Sequence, residues 1–171
     1  MPNTTKLEGN RGYAVMETAG NTISNTINKS PLFTTVIPGG KMGSNKILKL
    51  ELTCQLTTPA LSIPSLALRL EFGSASVVLA TGLISANLTD RPLLIEAKIA
   101  NQGTSNQYVT VKVLNNSGLL IFAGLSSSFL ITDTSWTVDT TVDQTLAVTA
   151  QFGGLSTSTN IITKLVELNL T

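Results

Sequence analysis

The one acidic cluster of the sequence consists of Asp133, Asp139 and Asp143, which lie in a stretch rich in threonine. Carboxylates and threonine hydroxyls supply the oxygen ligands that Ca²⁺ prefers. The spacing of these residues matches no calcium-binding loop, whereas aspartates at strand ends commonly accept hydrogen bonds in local turns. We therefore expect turns here, with ion binding as the alternative, and predict no metal site.

Catalysis would have to depend on carboxylates, because the sequence contains no histidine. Without histidine the commonest general base is missing, and so is every Ser-His-Asp or Cys-His arrangement. Glycoside hydrolysis needs only carboxylates, but several glutamates alternate with apolar residues and have basic residues near them, so we expect exposed cross-strand ion pairs. These glutamates are Glu51, Glu71, Glu96 and Glu167, and the basic residues near them are Lys49, Arg69, Lys98 and Lys164. We predict no catalytic residue and no cofactor.

Cysteine and tryptophan occur once each in this chain. A single cysteine excludes an internal disulfide and every multi-cysteine metal site. Cys54 shares the register of apolar residues in its strand, so we expect a buried thiol. Trp136 alternates with Val138 and suits a place in the core. Its alternative is an exposed platform that stacks on a sugar ring or anchors a subunit contact.

The polar surface of this chain is expected to carry little charge. Only 12% of its 171 residues are charged and the formal net charge is +1, whereas an average domain has about 25% charged residues. The basic residues are scattered, which argues against nucleic-acid binding. No apolar run approaches the ~20 residues that span a bilayer, and residues 1–20 lack the apolar segment of a signal peptide. We therefore predict no nucleic-acid partner, no membrane partner and synthesis in the cytoplasm.

Strands must position these residues, because apolar residues recur at every second position in several runs. A strand with one buried and one exposed face has this period. The runs are Leu48/Leu50/Leu52/Cys54/Leu56, Leu66/Leu68/Leu70/Phe72, Leu93/Ile95/Ala97/Ile99, Val109/Val111/Val113 and Leu146/Val148/Ala150/Phe152. With turn signals such as Gly73-Ser74, they predict an all-β, jelly-roll-like antiparallel β-sandwich of about 8–10 strands over residues 21–171. An immunoglobulin-like topology is the alternative, since periodicity does not give strand order.

Residues 1–20 are polar, contain three glycines and show no period. We expect an extended N-terminal arm outside the sandwich. A frayed terminus is one interpretation of such a segment. The other is an arm that lies on a neighbouring subunit, where Tyr13, Val15 and Met16 supply the contact.

Five segments resemble, in the same order, blocks of small structural proteins of tailed bacteriophages. Residues 37–45, IPGGKMGSN, are similar to the "IPGGTLGTNG"-like turn that precedes a long alternating strand in that family. Residues 68–73 and 90–97 resemble its "LRIKFGG" and "RPW-ieA" strands, although Leu93 stands where the family often has tryptophan. Residues 101–107 resemble its "N-x-G-x-x-N-S-Q" loop, and residues 138–146 its "vDTTaDqtl" strand.

The resemblance implies a β-sandwich virion protein, usually trimeric. The first hypothesis is a capsid decoration (cement) protein on the outer surface of a phage capsid, synthesised in the host cytoplasm. Its partners would be the major capsid protein and itself as a homotrimer, and the predicted capsid or subunit contacts are Tyr13, Val15, Met16 and Trp136. The alternative is a receptor- or carbohydrate-binding head domain of a tail or head fibre. A two-carboxylate hydrolase is a third hypothesis.

Overall fold

The structure is a computed structural model. It describes the backbone of residues 4–9, 12–17, 20–24, 26–60, 64–115, 120–121, 128–154 and 158–171. Side chains are described for residues 20–24, 26–60, 64–114, 134–154 and 158–171.

All regular secondary structure in the described residues is β-strand, which confirms the all-β prediction. The strands are β1 Thr4–Gly9, β2 Gly12–Glu17, β3 Thr22–Ser24, β4 Ser30–Ile37, β5 Ile47–Thr57, β6 Ser65–Phe72, β7 Ala75–Ile84, β8 Arg91–Asn101, β9 Gln107–Asn115, β10 Leu120–Ile121, β11 Ser128–Trp136, β12 Gln144–Phe152 and β13 Asn160–Leu170. The described strands outnumber the predicted 8–10. Two of them, β1 and β2, lie in the segment expected to be an arm, and the count also includes two short strands, β3 and β10.

The strands form two antiparallel sheets packed as a jelly-roll-like β-sandwich. The larger one, called the major sheet, has the order β1-β2-β13-β5-β8-β9-β11, and β3 also pairs with β13. The smaller one, called the minor sheet, has the order β10-β7-β6-β12-β4. Among the described strands, the chain passes from one sheet to the other between β3 and β4, β4 and β5, β5 and β6, and β7 and β8, and at each of the four connections from β9 to β13. The inward-facing apolar side chains of the two sheets form one core.

The core consists of the alternating apolar residues of both sheets. In β5, all five predicted inward residues, from Leu48 to Leu56, are at most 4% exposed. The inward residues of β6, β8, β9 and β12 are buried in the same way. Burial of one large aliphatic side chain stabilises a fold by roughly 1.5–3 kcal/mol. The predicted burial of Cys54 is confirmed, and desolvation raises its thiol pKa from 9.0 to about 12.

The N-terminal segment continues the major sheet at one edge. β1 and β2 form a hairpin, and β2 pairs with the Val166–Asn169 part of β13. β3 pairs with the other end of β13, at Asn160–Ile162. The backbone of residues 4–9 and 12–17 is therefore extended and joined to the sandwich by strand pairing. The proposed boundary at residue 20 between arm and domain stays a prediction.

Candidate interaction surface

A buried polar junction closes one end of the sandwich. Gln107, at the start of β9, is 0% exposed, and Asn101, at the end of β8, is 1% exposed. Gln107 Nε2 donates to Asn101 Oδ1 at 2.9 Å and to the Val138 carbonyl at 3.0 Å, while Val138 N donates to Gln107 Oε1 at 2.9 Å. Asn101 Nδ2 donates to the Met42 carbonyl and to Thr140 Oγ1. Every polar atom of the Gln107 amide that faces the core is thereby paired.

This junction joins three of the segments that resemble phage structural proteins. Residues 37–45 supply the Met42 carbonyl, residues 101–107 supply both amides, and residues 138–146 supply Thr140 and the Val138 backbone. The side chains concerned are buried, so they hold the loops together and are not available to a partner. The polar residues that form the junction, Asn101, Gln107 and Thr140, therefore have a structural role in this molecule.

The acidic cluster predicted from the sequence forms loop contacts. Asp139 Oδ1 accepts hydrogen bonds from Thr141 Oγ1 at 2.6 Å and from Thr141 N at 2.9 Å, which is the local turn expected at this position. These two bonds hold the pKa of Asp139 below its ordinary value, the side-chain bond contributing more than the backbone bond. Asp143 Oδ1 accepts from Gly39 N at 2.8 Å. The side chain of Asp133 lies outside the described residues.

Within the described part of the chain, no group of three or more Asp, Glu or Cys side chains is arranged to hold a metal ion. No described helix is long and apolar enough to cross a membrane. The thiol of Cys54 is enclosed by the core, away from any surface.

Trp136 is 5% exposed and belongs to the core. An indole in this position fills space between the sheets, so the expectation that Trp136 lies at a capsid or subunit contact is corrected. Tyr13, Val15 and Met16 lie on β2, where the backbone of Val15 and Met16 is paired with β1 and β13. Their side chains lie outside the described residues, and their role as contacts stays a prediction.

The outer face of the major sheet carries its side chains in rows that run across the strands. The register of β13, β5, β8 and β9 defines four such rows. They are a leucine row (Leu165, Thr53, Leu94, Leu114), an acidic row (Glu167, Glu51, Glu96, then Lys112), a basic row (Asn169, Lys49, Lys98, then Thr110) and a tyrosine row (Ile47, Ala100, Tyr108). The leucine row is half-buried, and Tyr108 is 38% exposed.

Charges of the same sign lie opposite each other within this face. Glu51 has Glu167 as its Cα partner on one side and Glu96 on the other. Lys49 likewise lies opposite Lys98. In this register Glu51 has no lysine or arginine directly opposite it, whereas Glu96 makes the expected exposed cross-strand ion pair, with Lys112 of β9 at 3.9 Å. Like charges directly opposite on adjacent strands destabilise a sheet.

An open depression of about 260 Å³ lies over the two charged rows. Its lining consists of the charged and polar outward residues and the backbone beneath them. The residues are Lys49, Leu50, Glu51, Glu96, Ala97, Lys98, Glu167 and Asn169. Both signs of charge meet in it, so it suits a partner that also presents both signs.

The outer face of the minor sheet is different, because it has few charged residues and its glutamate is paired within the chain. Lys29 Nζ lies 2.8 Å from Glu71 Oε1. Thr149 Oγ1 donates to the same carboxylate oxygen at 3.4 Å. The exposed apolar residues there, Val36, Val78 and Leu83, are each between 38% and 49% exposed. This face therefore carries fewer charges than the outer face of the major sheet.

No protein-family model and no curated protein matches the chain. Similar solved structures include the metal-free lectin I-B4 from Griffonia simplicifolia, with a TM-score of 0.37 and 10% identity over 99% of this chain and 90% of the lectin. The CBM2 module of the evolved Dit of Lactobacillus casei BL23 phage J-1 has a TM-score of 0.36 and 14% identity, with 95% and 79% covered. A conserved carbohydrate esterase from the Shiga toxin-encoding bacteriophage phi24B has a TM-score of 0.34 and 10% identity, with 99% and 88% covered. All of these are distant similarities between β-rich chains.

Proposed function

We propose that this chain is a structural protein of a phage virion that acts as a trimeric capsid decoration protein. The observation that carries the proposal is the buried junction of Asn101, Gln107 and Thr140. Three separate segments resemble phage structural proteins, and their polar residues are hydrogen-bonded to one another in the core. Chance similarity in unrelated segments gives no reason for such convergence, so the junction supports treating the segments as one inherited framework.

Such a protein would stabilise a capsid by contact and would need no chemistry. Apolar burial and backbone pairing would join neighbouring capsomers from the outside, over an interface of more than about 2,000 Å² if it is obligate. Edge strands provide unpaired N–H and C=O groups for pairing with another chain. β1 is one edge of the major sheet, and the hairpin that contains it holds Tyr13, Val15 and Met16.

Capsids that lack the protein provide the direct test. Adding the purified protein should raise the temperature at which these capsids rupture, and light scattering of the free protein should give the mass of a trimer. A form without residues 1–17 should remain folded, because β13 keeps its pairing with β5, but should stabilise capsids less. An unchanged rupture temperature with the full-length protein would refute the decoration role.

A receptor- or carbohydrate-binding head of a phage fibre is the second candidate. The observation that favours it is Tyr108, an exposed ring on β9 that lies diagonally across from Lys98 of the basic row on the adjacent strand β8. Aromatic rings stack on the apolar faces of sugars while nearby polar groups bind hydroxyls. A glycan array should then detect binding that Tyr108→Ala removes. Absence of binding to any glycan, together with no inhibition of phage adsorption by the free protein, would exclude this candidate.

A further inference from the structure

We propose that the outer face of the major sheet binds the same face of a second copy of this chain, around a two-fold axis. The proposal rests on the pattern of the four rows and does not depend on the proposed function. Three properties of the face support it: its uncompensated charges, the order of its rows, and the effect of a two-fold axis on that order.

Four of the six charges in the two rows have no ion-pair partner within the described part of the chain. Lys112 and Glu96 form one ion pair at 3.9 Å, with side chains that are 44% and 40% exposed. Glu51, Glu167, Lys49 and Lys98 make no ion pair among the described residues, although each has a charge of the opposite sign two residues away or on an adjacent strand. Glu51 stands between two other glutamates. A surface that brought lysines over the acidic row would relieve this repulsion.

The rows have a self-complementary order along the strands: leucine, acidic, basic, tyrosine. Two copies that face each other are related by a two-fold axis lying in their interface. Suppose that this axis runs across the strands, parallel to the rows and midway between the acidic and basic rows. The acidic row of one copy then lies over the basic row of the second copy, and each strand lies over the same strand of the second copy. Adjacent rows are about 6.8 Å apart along a strand, so a displacement of the axis by one row would remove the match.

Glu51, Glu96, Lys49 and Lys98 of each copy then meet charges of the opposite sign. Glu51 of one copy faces Lys49 of the second copy, Glu96 faces Lys98 of the second copy, and Glu167 faces Asn169 of the second copy. The outer rows are exchanged as well, so Thr53 and Leu94 of the leucine row lie over Ile47 and Ala100, respectively, of the second copy's tyrosine row. Apolar surface thus meets apolar surface on both sides of the charged rows, which is the arrangement that a self-complementary interface requires.

The size of the face predicts a weak association. With strands about 4.8 Å and rows about 6.8 Å apart, the face covers about 500 Å² in each copy. The two copies together bury about 1,000 Å², which is near the lower limit of specific interfaces. We therefore expect a Kd of about 10–100 µM. Exposed charges beyond about 8 Å are screened at physiological ionic strength, so salt should weaken the pairing.

Two charge-reversal variants test the proposal. The variant E51K/E96K makes both charged rows basic, and K49E/K98E makes both acidic. Each alone should associate at least ~10-fold more weakly than the wild type in sedimentation experiments at low salt, because like rows then face each other. An equimolar mixture should restore the association as a one-to-one pair of the two variants, since basic rows then face acidic rows.

The control is K41E/K46E, which changes net charge by the same amount as K49E/K98E at two exposed lysines outside the rows. It should associate like the wild type. If the smallest unit in solution is a trimer, masses are compared with twice that unit, so the outcome is separate from capsid binding. A wild type that shows no self-association at about 0.5 mM protein, a mixture that forms no mixed pair, or a control that is weakened equally would each overturn the proposal.

Discussion

At the residue scale, the buried amides show how a polar group is accommodated in this core. Gln107 makes bonds to both Asn101 and Val138 and is 0% exposed. Gln107 has the same period-of-two register as the inward residues Val109, Val111 and Val113, but glutamine is mostly exposed in proteins, so the residue type argued against burial. The partners from the end of β8 and from the loop at Val138, which meet the start of β9, make a buried glutamine suitable there.

Replacing this amide should destabilise the fold. Gln107→Leu would leave three groups without their partner: Asn101 Oδ1, the Val138 N–H and the Val138 carbonyl oxygen. Each unpaired buried group costs about 1–3 kcal/mol. We expect the free energy of unfolding to fall by about 3–5 kcal/mol, measured by chemical denaturation. Gln102→Leu, an exposed position on the same loop, is the matched control. Equal effects of the two changes would contradict the role of the junction.

Cys54 gives a prediction with a defined pH range. Burial raises its folded-state pKa from 9.0 to about 12, so between these values the unfolded thiol loses its proton while the folded thiol keeps it. The stabilisation that comes from keeping this thiol protonated is complete below pH 9.0. As the pH rises from there towards 12, the free energy of unfolding falls by about 1.4 kcal/mol per pH unit. Cys54→Ala should lower stability at neutral pH but remove this part of the alkaline slope. Parallel stability–pH curves for the two proteins would be inconsistent with the shift.

At the element scale, the period of two identified the strands with one buried face and the turns that join them. The Gly73-Ser74 turn is confirmed, because Phe72 and Ala75 pair directly across it and Gly73 has a φ of +56°. Strand order and register depend on contacts between distant segments, which no local pattern contains. The outward direction of the glutamates of β5, β8 and β13 follows from the period of two and is confirmed. Their position opposite one another depends on the register between strands, so the sequence pattern did not predict it.

The turn after β4 provides a test at this scale. A Cβ on Gly39 would lie 2.4 Å from the Thr141 carbonyl oxygen and 2.7 Å from Val142 Cα, both of which belong to the backbone. Gly39→Ala must therefore move one loop away from the other, and we expect a loss of about 1–3 kcal/mol in thermal or chemical unfolding. At Gly43, in the same connection, nothing lies within 4 Å of the added atom. Gly43→Ala should be close to neutral, and a similar loss in both variants would count against this packing.

At the scale of the whole molecule, two kinds of association are proposed, and they use different surfaces. Attachment to a capsid would use sheet edges and apolar contact in a chain whose formal net charge is only +1. Pairing of two copies would use the charged rows on the outer face of the major sheet. The location of these rows on adjacent strands follows from the sheet order, which explains why low overall charge in the sequence concealed a locally charged face.

Salt should separate the two associations. Raising the ionic strength from about 0.05 M to about 0.5 M shortens the range of electrostatic interaction from about 14 Å to about 4 Å. The pairing of copies should weaken about 10-fold or more over this range, because its specificity lies in exposed Glu–Lys contacts. Capsid attachment should change little, since apolar burial and backbone pairing are not screened in this way.

Sedimentation of the free protein and rupture temperatures of decorated capsids, measured in the same salt series, give the two readouts. A capsid attachment that falls in parallel with the pairing of copies would mean that both use the charged rows, and the assignment of separate surfaces would then be wrong.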